Sequence, residues 1–145
     1  MMTKNLITTN NIILHARFSD KWEAIKACGD ILFQQGYVRK EYINDMIERE
    51  ELASVYIGNH VAIPHGIANS EKNILKSGIA FIQIPDGVDF DGEKAYIMIG
   101  IAGKDGTHID ILSNIATVCM DTENIEILRT TEDKEQVLRL FTQQV

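Results

Sequence analysis

The segments "SGIAFIQI" at 77–84 and "AYIMIGI" at 95–101 decide how the chain folds. Both are nearly continuous apolar runs. A strand with one wet face alternates apolar and polar residues, whereas an unbroken apolar run marks a strand covered on both faces. Two such runs imply an α/β sheet with helices on either side. Between them, Pro85-Asp86-Gly87 and Asp91-Gly92 read as turns.

Working outward, Leu6 to Leu14 reads as a short strand region around Thr8-Thr9-Asn10-Asn11. Asp20 and Glu23 form a capping box ahead of a helix that buries Trp22, Ile25, Cys28 or Gly29 and Ile31-Leu32, and Gly36 stops it. A second helix is expected from about Lys40 to Leu52, with Tyr42, Ile43, Met46 and Ile47 as its apolar stripe. Val55–Ile57 and Val61–Ile63 are extended segments flanking a Gly58-Asn59 turn. After Gly103–Gly106, Thr107 is placed to cap a helix carrying Ile111, Leu112, Ile115, Ala116, Val118 and Cys119 on its inner face. A final helix starts near Thr131 and turns Val137, Leu138, Leu140 and Phe141 inward.

Bulk properties bound the function. The 145 residues suit one domain spanning 1–145, with no linker or repeat to divide it. A net charge of −7 argues against nucleic-acid binding and suits a partner with a positive patch. The N-terminus lacks the apolar core of a signal peptide, and two isolated cysteines, Cys28 and Cys119, do not make a disulfide framework. A cytoplasmic protein is expected. Neither a G-x-x-x-x-G-K-[ST] loop, a G-x-G-x-x-G turn nor a G-x-S-x-G elbow occurs, so nucleotide binding and hydrolase chemistry lack their usual supports.

Of four histidines, His65 has the most particular setting. "GNHVAIPHG" at 58–66 delivers it from an apolar strand into a Pro64-His65-Gly66 turn, between a residue of fixed φ and one without a side chain. An imidazole at a strand end can serve as nucleophile or as acid and base near neutral pH. His108 sits at the start of the helix after Thr107, where free backbone N–H groups favour an anion. Together the two invite a phosphate. Glu48-Arg49-Glu50-Glu51 reads as a solvated helix end, from which Arg49 could fork onto that phosphate. His60 and His65 fall on opposite faces of an extended chain, and no cluster of metal-binding spacing joins them. No metal or cofactor is therefore expected.

The nine residues from Gly58 to Gly66 fit the pattern G-x-x-[IV]-A-[IV]-P-H-G. On that core the chain resembles the enzyme IIA domains of the phosphoenolpyruvate-dependent sugar phosphotransferase system, mannitol/fructose type. The resemblance runs from Leu6 to the C-terminus. "GYVRKEYINDMIERE" (36–50), "PDGVDFDGEKAYIMIGIAGKDGTHIDILSNIA" (85–116) and "EDKEQVLRLF" are similar to the mannitol branch. Asn59 stands where some mannitol-type domains carry an acidic residue, so no charged role is implied there.

The resemblance implies a mixed β-sheet flanked by helices on both sides. It implies that His65 carries a phosphoryl group taken from phosphohistidine on HPr and passed to a cysteine on the IIB domain of the mannitol permease. His108 matches the family's second active-site histidine, and Arg49 its arginine near the active histidine. A free-standing IIA protein, meeting the membrane only through the permease, is the expectation. A fructose-type domain or a regulatory module that signals through its phosphorylation state is the alternative.

Overall fold

A computed structural model describes residues 6–142, so the outermost residues of the expected 1–145 domain, 1–5 and 143–145, lie outside the described residues. In chain order the strands are β1 (Ile12–Ile13), β2 (Tyr56–Gly58), β3 (Val61–Ala62), β4 (Gly78–Phe90) and β5 (Glu93–Ala102). The helices are α1 (Lys21–Gln34), α2 (Tyr42–Leu52), α3 (His108–Cys119), α4 (Thr122–Thr130) and α5 (Lys134–Thr142). Among the described residues no helix is long and apolar enough to cross a membrane.

The two apolar runs become β4 and β5, the antiparallel centre of a five-stranded sheet of order β1-β4-β5-β3-β2. β1 joins β4 and β3 joins β5 in parallel, while β2 and β3 form an antiparallel edge. The sheet is mixed. Its period-two alternation feeds two cores. Ala80, Ile82, Ile84 and Met98 meet α1 and α2 through Ile25, Leu32, Tyr42 and Met46. Ile79, Phe81, Ile97 and Ile99 meet α3, α4 and α5 through Ile111, Ile115, Leu128 and Phe141. Burial on both faces explains why neither run alternates with polar residues.

Local chemistry sets the helix ends. The Asp20 carboxylate accepts the Glu23 N–H at 2.9 Å, and Glu23 in return accepts the Ser19 N–H at 2.7 Å. A cap of this kind contributes about 1 kcal/mol. At the other end of α1, Gly36 takes φ 82°, and the Tyr37 N–H reaches back to the Leu32 carbonyl at 2.9 Å.

Four expectations are corrected. Only Ile12–Ile13 of Leu6–Leu14 is strand, because Thr9–Asn11 forms a turn of 3-10 helix whose buried Asn11 amide serves the carbonyls of Leu6 and Ile79. Pro85-Asp86-Gly87 is no turn: β4 runs through it with a register shift between Gln83 and Val88. Asp91 and Gly92, at φ 56° and 104°, close the hairpin. The region before α5 holds an additional helix, α4, capped by Asp121, and α5 itself begins at Lys134 rather than near Thr131. Glu50 is not on a solvated helix end but 4% exposed, because Lys21 and the Val55 N–H satisfy its carboxylate.

Candidate functional site

β3 and β5 run parallel, so their C-terminal ends open at the same edge of the sheet, and both expected histidines follow from those ends. Beyond β3 the chain stays extended through Ile63 and Pro64, and His65 pairs with Ile101 of β5 in a parallel bridge. The Ile101 N–H donates to the Pro64 carbonyl at 2.9 Å. Pro64-His65-Gly66 is therefore a continuation of the strand, not the turn expected from its composition. The reversal comes later, where Ser70 N–H meets the Ile67 carbonyl at 3.2 Å and Asn69 takes φ 71°. Gly66 is needed for close approach instead: a Cβ there would lie 2.6 Å from Tyr42 Cε1 and collide with Ser70 Oγ.

The His65 ring is fixed by one short contact, Nδ1 to the Ile63 carbonyl oxygen at 2.7 Å. A carbonyl only accepts, so Nδ1 carries the hydrogen and Nε2 the lone pair, which has no hydrogen-bond partner among the described residues. Burial holds the His65 pKa below its ordinary 6.5; the Ile63 bond opposes this, and the charges of Arg49 and His108 reinforce it. A neutral imidazole at neutral pH follows. Such a ring is a ready nucleophile.

His108 is the first residue of α3, its ring centroid 5.3 Å from that of His65. The preceding loop folds back tightly: a Cβ on Gly103 would lie 2.5 Å from His108 Cα. Ser77 ties this loop down, accepting the Lys104 N–H at 2.9 Å and pairing with the Thr107 hydroxyl at 2.9 Å. Thr107 therefore does not cap α3 as its sequence position suggests. Its backbone is already helical and its hydroxyl donates to the Lys104 carbonyl at 2.8 Å, leaving no side-chain cap on the first N–H groups of α3. Those groups remain available to an anion.

Arg49 lies in the last turn of α2, its guanidinium steadied on the Ala53 carbonyl at 2.6 Å. Arg49, His65 and His108 line one cleft of about 410 Å³, closed off by Tyr42, Gly66 and Ser70. The three residues expected from the sequence thus converge, although they lie in three separate segments. His60 does not join them; it packs edge-on against Tyr96 at 5.2 Å. Cys28 and Cys119 are buried, and burial pushes both thiols up to about 12, which leaves them unreactive at neutral pH.

The family model for the phosphoenolpyruvate-dependent sugar phosphotransferase system, EIIA 2, matches residues 5–144. The chain belongs to this enzyme IIA family. It is 46% identical, over 98% of its length and 99% of the relative's, to the mannitol-specific phosphotransferase enzyme IIA component of Geobacillus stearothermophilus. It is 45% identical to the component of the same name from Bacillus subtilis, covering 95% of this chain and 97% of that one. Among solved structures, it matches IIA mannitol from Escherichia coli with a TM-score of 0.86, at 34% identity over 93% of this chain and 98% of that one. The IIA partner in a complex of enzyme IIA and phosphorylated enzyme IIB for mannitol from Escherichia coli matches with a TM-score of 0.90, at 33% identity over 95% and 98%.

Sequence reasoning gave Tyr42, which lines this cleft, no part in the site. Tyr42 was readable only as a stripe residue of α2, yet its hydroxyl accepts the Gly66 N–H at 2.8 Å and donates to the Ile101 carbonyl at 2.8 Å. The available signal was its polar tip: a buried tyrosine hydroxyl finds a partner, but spacing does not say which.

Proposed function

We propose that this chain is the mannitol-specific IIA component of the phosphotransferase system, a cytoplasmic phosphoryl carrier. His65 accepts the group from phosphohistidine on HPr and passes it to a cysteine of the IIB domain of the mannitol permease. The observation that carries this reading is the His65 ring itself. Its Nδ1 is held by the Ile63 carbonyl, and its free Nε2 belongs to a cleft shared with His108 and Arg49. The mannitol-specific relatives and the likeness to a IIA domain found with phosphorylated IIB support the substrate and the acceptor.

The chemistry follows from these positions. The His65 Nε2 lone pair attacks phosphorus in line as the donor's P–N bond breaks, and the donor nitrogen retains the electron pair. Phosphohistidine to histidine is an exchange of like for like, so the step is close to balanced and reversible. The transferring group carries its charge on equatorial oxygens. Arg49, the His108 ring N–H and the uncapped N–H groups of α3 supply positive potential there. A thiolate on IIB then takes the group from Nε2 by the same geometry.

The test is reconstitution. With phosphoenolpyruvate, enzyme I and HPr, the chain should acquire one acid-labile phosphate and discharge it to a mannitol-type IIB. Discharge only to a fructose-type IIB would reassign the sugar, and labelling without discharge to any IIB would favour a regulatory module.

A further inference from the structure

A regular parallel bridge between His65 and Ile101 would hold two backbone rungs, one into Ile101 and one out of it. The inward rung is direct, from the Ile101 N–H to the Pro64 carbonyl at 2.9 Å. The outward rung, from the Gly66 N–H to the Ile101 carbonyl, passes through a side chain: the Gly66 N–H donates to Tyr42 Oη at 2.8 Å, and Tyr42 Oη donates to the Ile101 carbonyl at 2.8 Å. A hydroxyl, with one donor and two acceptor positions, can do both at once. Tyr42 is 2% exposed, and burial pushes its phenol up to about 12, so the proton it donates is present at every working pH.

We propose that Tyr42 is a positioning residue for phosphoryl transfer: its hydroxyl is a spacer in the strand ladder that sets how far His65 stands from β5 and therefore from His108. The inference rests on the reading of His65 as the phosphoryl acceptor. Tyr42 touches the residue directly after His65 and, at Ile101, the strand that leads within two residues to Gly103, against which His108 packs. Both ends of the histidine pair are thus referenced to one oxygen atom. The site is shaped around it, since a side chain on Gly66 would strike the Tyr42 ring. Without the hydroxyl, Gly66 and Ile101 close into a direct rung that draws His65 toward β5. Transfer between two imidazoles demands in-line alignment, and a displacement of about 1 Å is enough to slow such a step by up to a hundredfold.

The experiment compares wild type with Tyr42→Phe in single-turnover transfer from phospho-HPr, varying donor concentration to separate docking from chemistry. Wild-type labelling is the prior condition; its absence would remove the proposed function rather than this inference. The expected result is a maximal transfer rate lowered at least tenfold, at unchanged half-saturating donor concentration, in a folded protein. Met46→Ala, a fully buried change on the same helix, is the control: it should lose stability and keep its maximal rate. Where Tyr42→Phe does not fold, 4-aminophenylalanine at position 42 replaces it. That group donates to the Ile101 carbonyl but accepts poorly from the Gly66 N–H, and an intermediate rate is expected. A wild-type maximal rate in either variant, or a loss confined to donor saturation, overturns the proposal.

Discussion

The Nδ1 atom of His65 lies 2.7 Å from the carbonyl oxygen of Ile63, two residues earlier in the same extended segment. Strand and side chain are thereby locked together: the backbone that enters the site also selects the tautomer. The ring should be found in the Nδ1–H form at neutral pH by long-range 1H–15N correlation, and phosphorylation should occur at Nε2. His65→Ala should remain folded and take up no acid-labile phosphate from phospho-HPr. Labelling of that variant near the wild-type rate would move the acceptor elsewhere.

The same ring predicts a pH dependence of stability. Burial lowers the His65 pKa below 6.5, so the native protein binds this proton less readily than the unfolded chain does. As pH falls below 6.5, the unfolded chain is protonated first. The contribution of His65 is therefore complete above pH 6.5 and declines as the pH drops toward the folded-state value. Urea midpoints should fall on acidification through this range, and His65→Gln should flatten that part of the curve. An identical slope in both proteins would assign the decline to other groups.

His108 is expected to assist rather than carry. It opens a helix whose first N–H groups have no side-chain cap, and its ring centroid lies 5.3 Å from that of His65. One well-placed donor at a developing charge is worth on the order of 3 kcal/mol. His108→Ala should therefore still form phospho-His65 but pass it to IIB about a hundredfold more slowly. His108→Gln, which retains an N–H donor, should recover part of that loss. Rapid-quench rates equal for Ala and wild type would reduce His108 to a helix-start residue.

Gly103→Ala should resemble His108→Ala without touching the histidine. The new Cβ would lie 2.5 Å from His108 Cα and 2.8 Å from its backbone nitrogen, neither of which can swing aside as a flexible side chain could. The loop must shift and carry His108 with it. Onward transfer should slow, with thermal stability also reduced; an unchanged rate would show that the cleft tolerates that shift.

The strands of the sheet centre were legible because burial on both faces leaves an unmistakable apolar run, and His65 was legible because proline and glycine bracket it. The errors share a cause. Pro85-Asp86-Gly87 carries turn residues inside β4, where a register shift absorbs them, and Pro64-His65-Gly66 carries turn residues inside an extended segment. Composition reports what a residue permits, while tertiary pairing decides what is used. Thr107 failed as a cap for a similar reason, since its hydroxyl is claimed by Lys104 and Ser77, the latter 30 residues away. Helix α4 escaped notice because only Ile125 and Leu128 of its nine residues are buried.

Glu50 offers the sharpest test of how the Arg49 end of α2 is held. Its side chain is fully buried, one carboxylate oxygen taking the Lys21 ammonium at 2.9 Å and the other the Val55 N–H at 2.8 Å. Lys21 also reaches Asp91 at 2.8 Å, but the Asp91 side chain is 64% exposed. Burial pulls the Lys21 pKa down, yet its bonds to Asp91 and Glu50 outweigh this and hold it above 10.5. A proton held more tightly in the folded state stabilises fully below pH 10.5, and that contribution is lost as pH rises through the folded value. Removing Glu50 leaves Lys21 with its exposed partner Asp91 alone and takes the acceptor from the buried Val55 N–H, a loss of about 1–3 kcal/mol, whereas removing the exposed Asp91 costs about 1 kcal/mol or less. Glu50→Ala should therefore destabilise more than Asp91→Asn in urea unfolding at pH 7. Glu50→Gln should fall between them, because its amide oxygen can still accept the Val55 N–H. Because Glu50 precedes Ala53, the carbonyl that steadies Arg49, by one helical turn, Glu50→Ala should also lower transfer to IIB at temperatures where the protein is still folded. Equal destabilisation by Glu50→Ala and Asp91→Asn would mean that Lys21 is held by the hairpin and that α2 owes nothing to this charge.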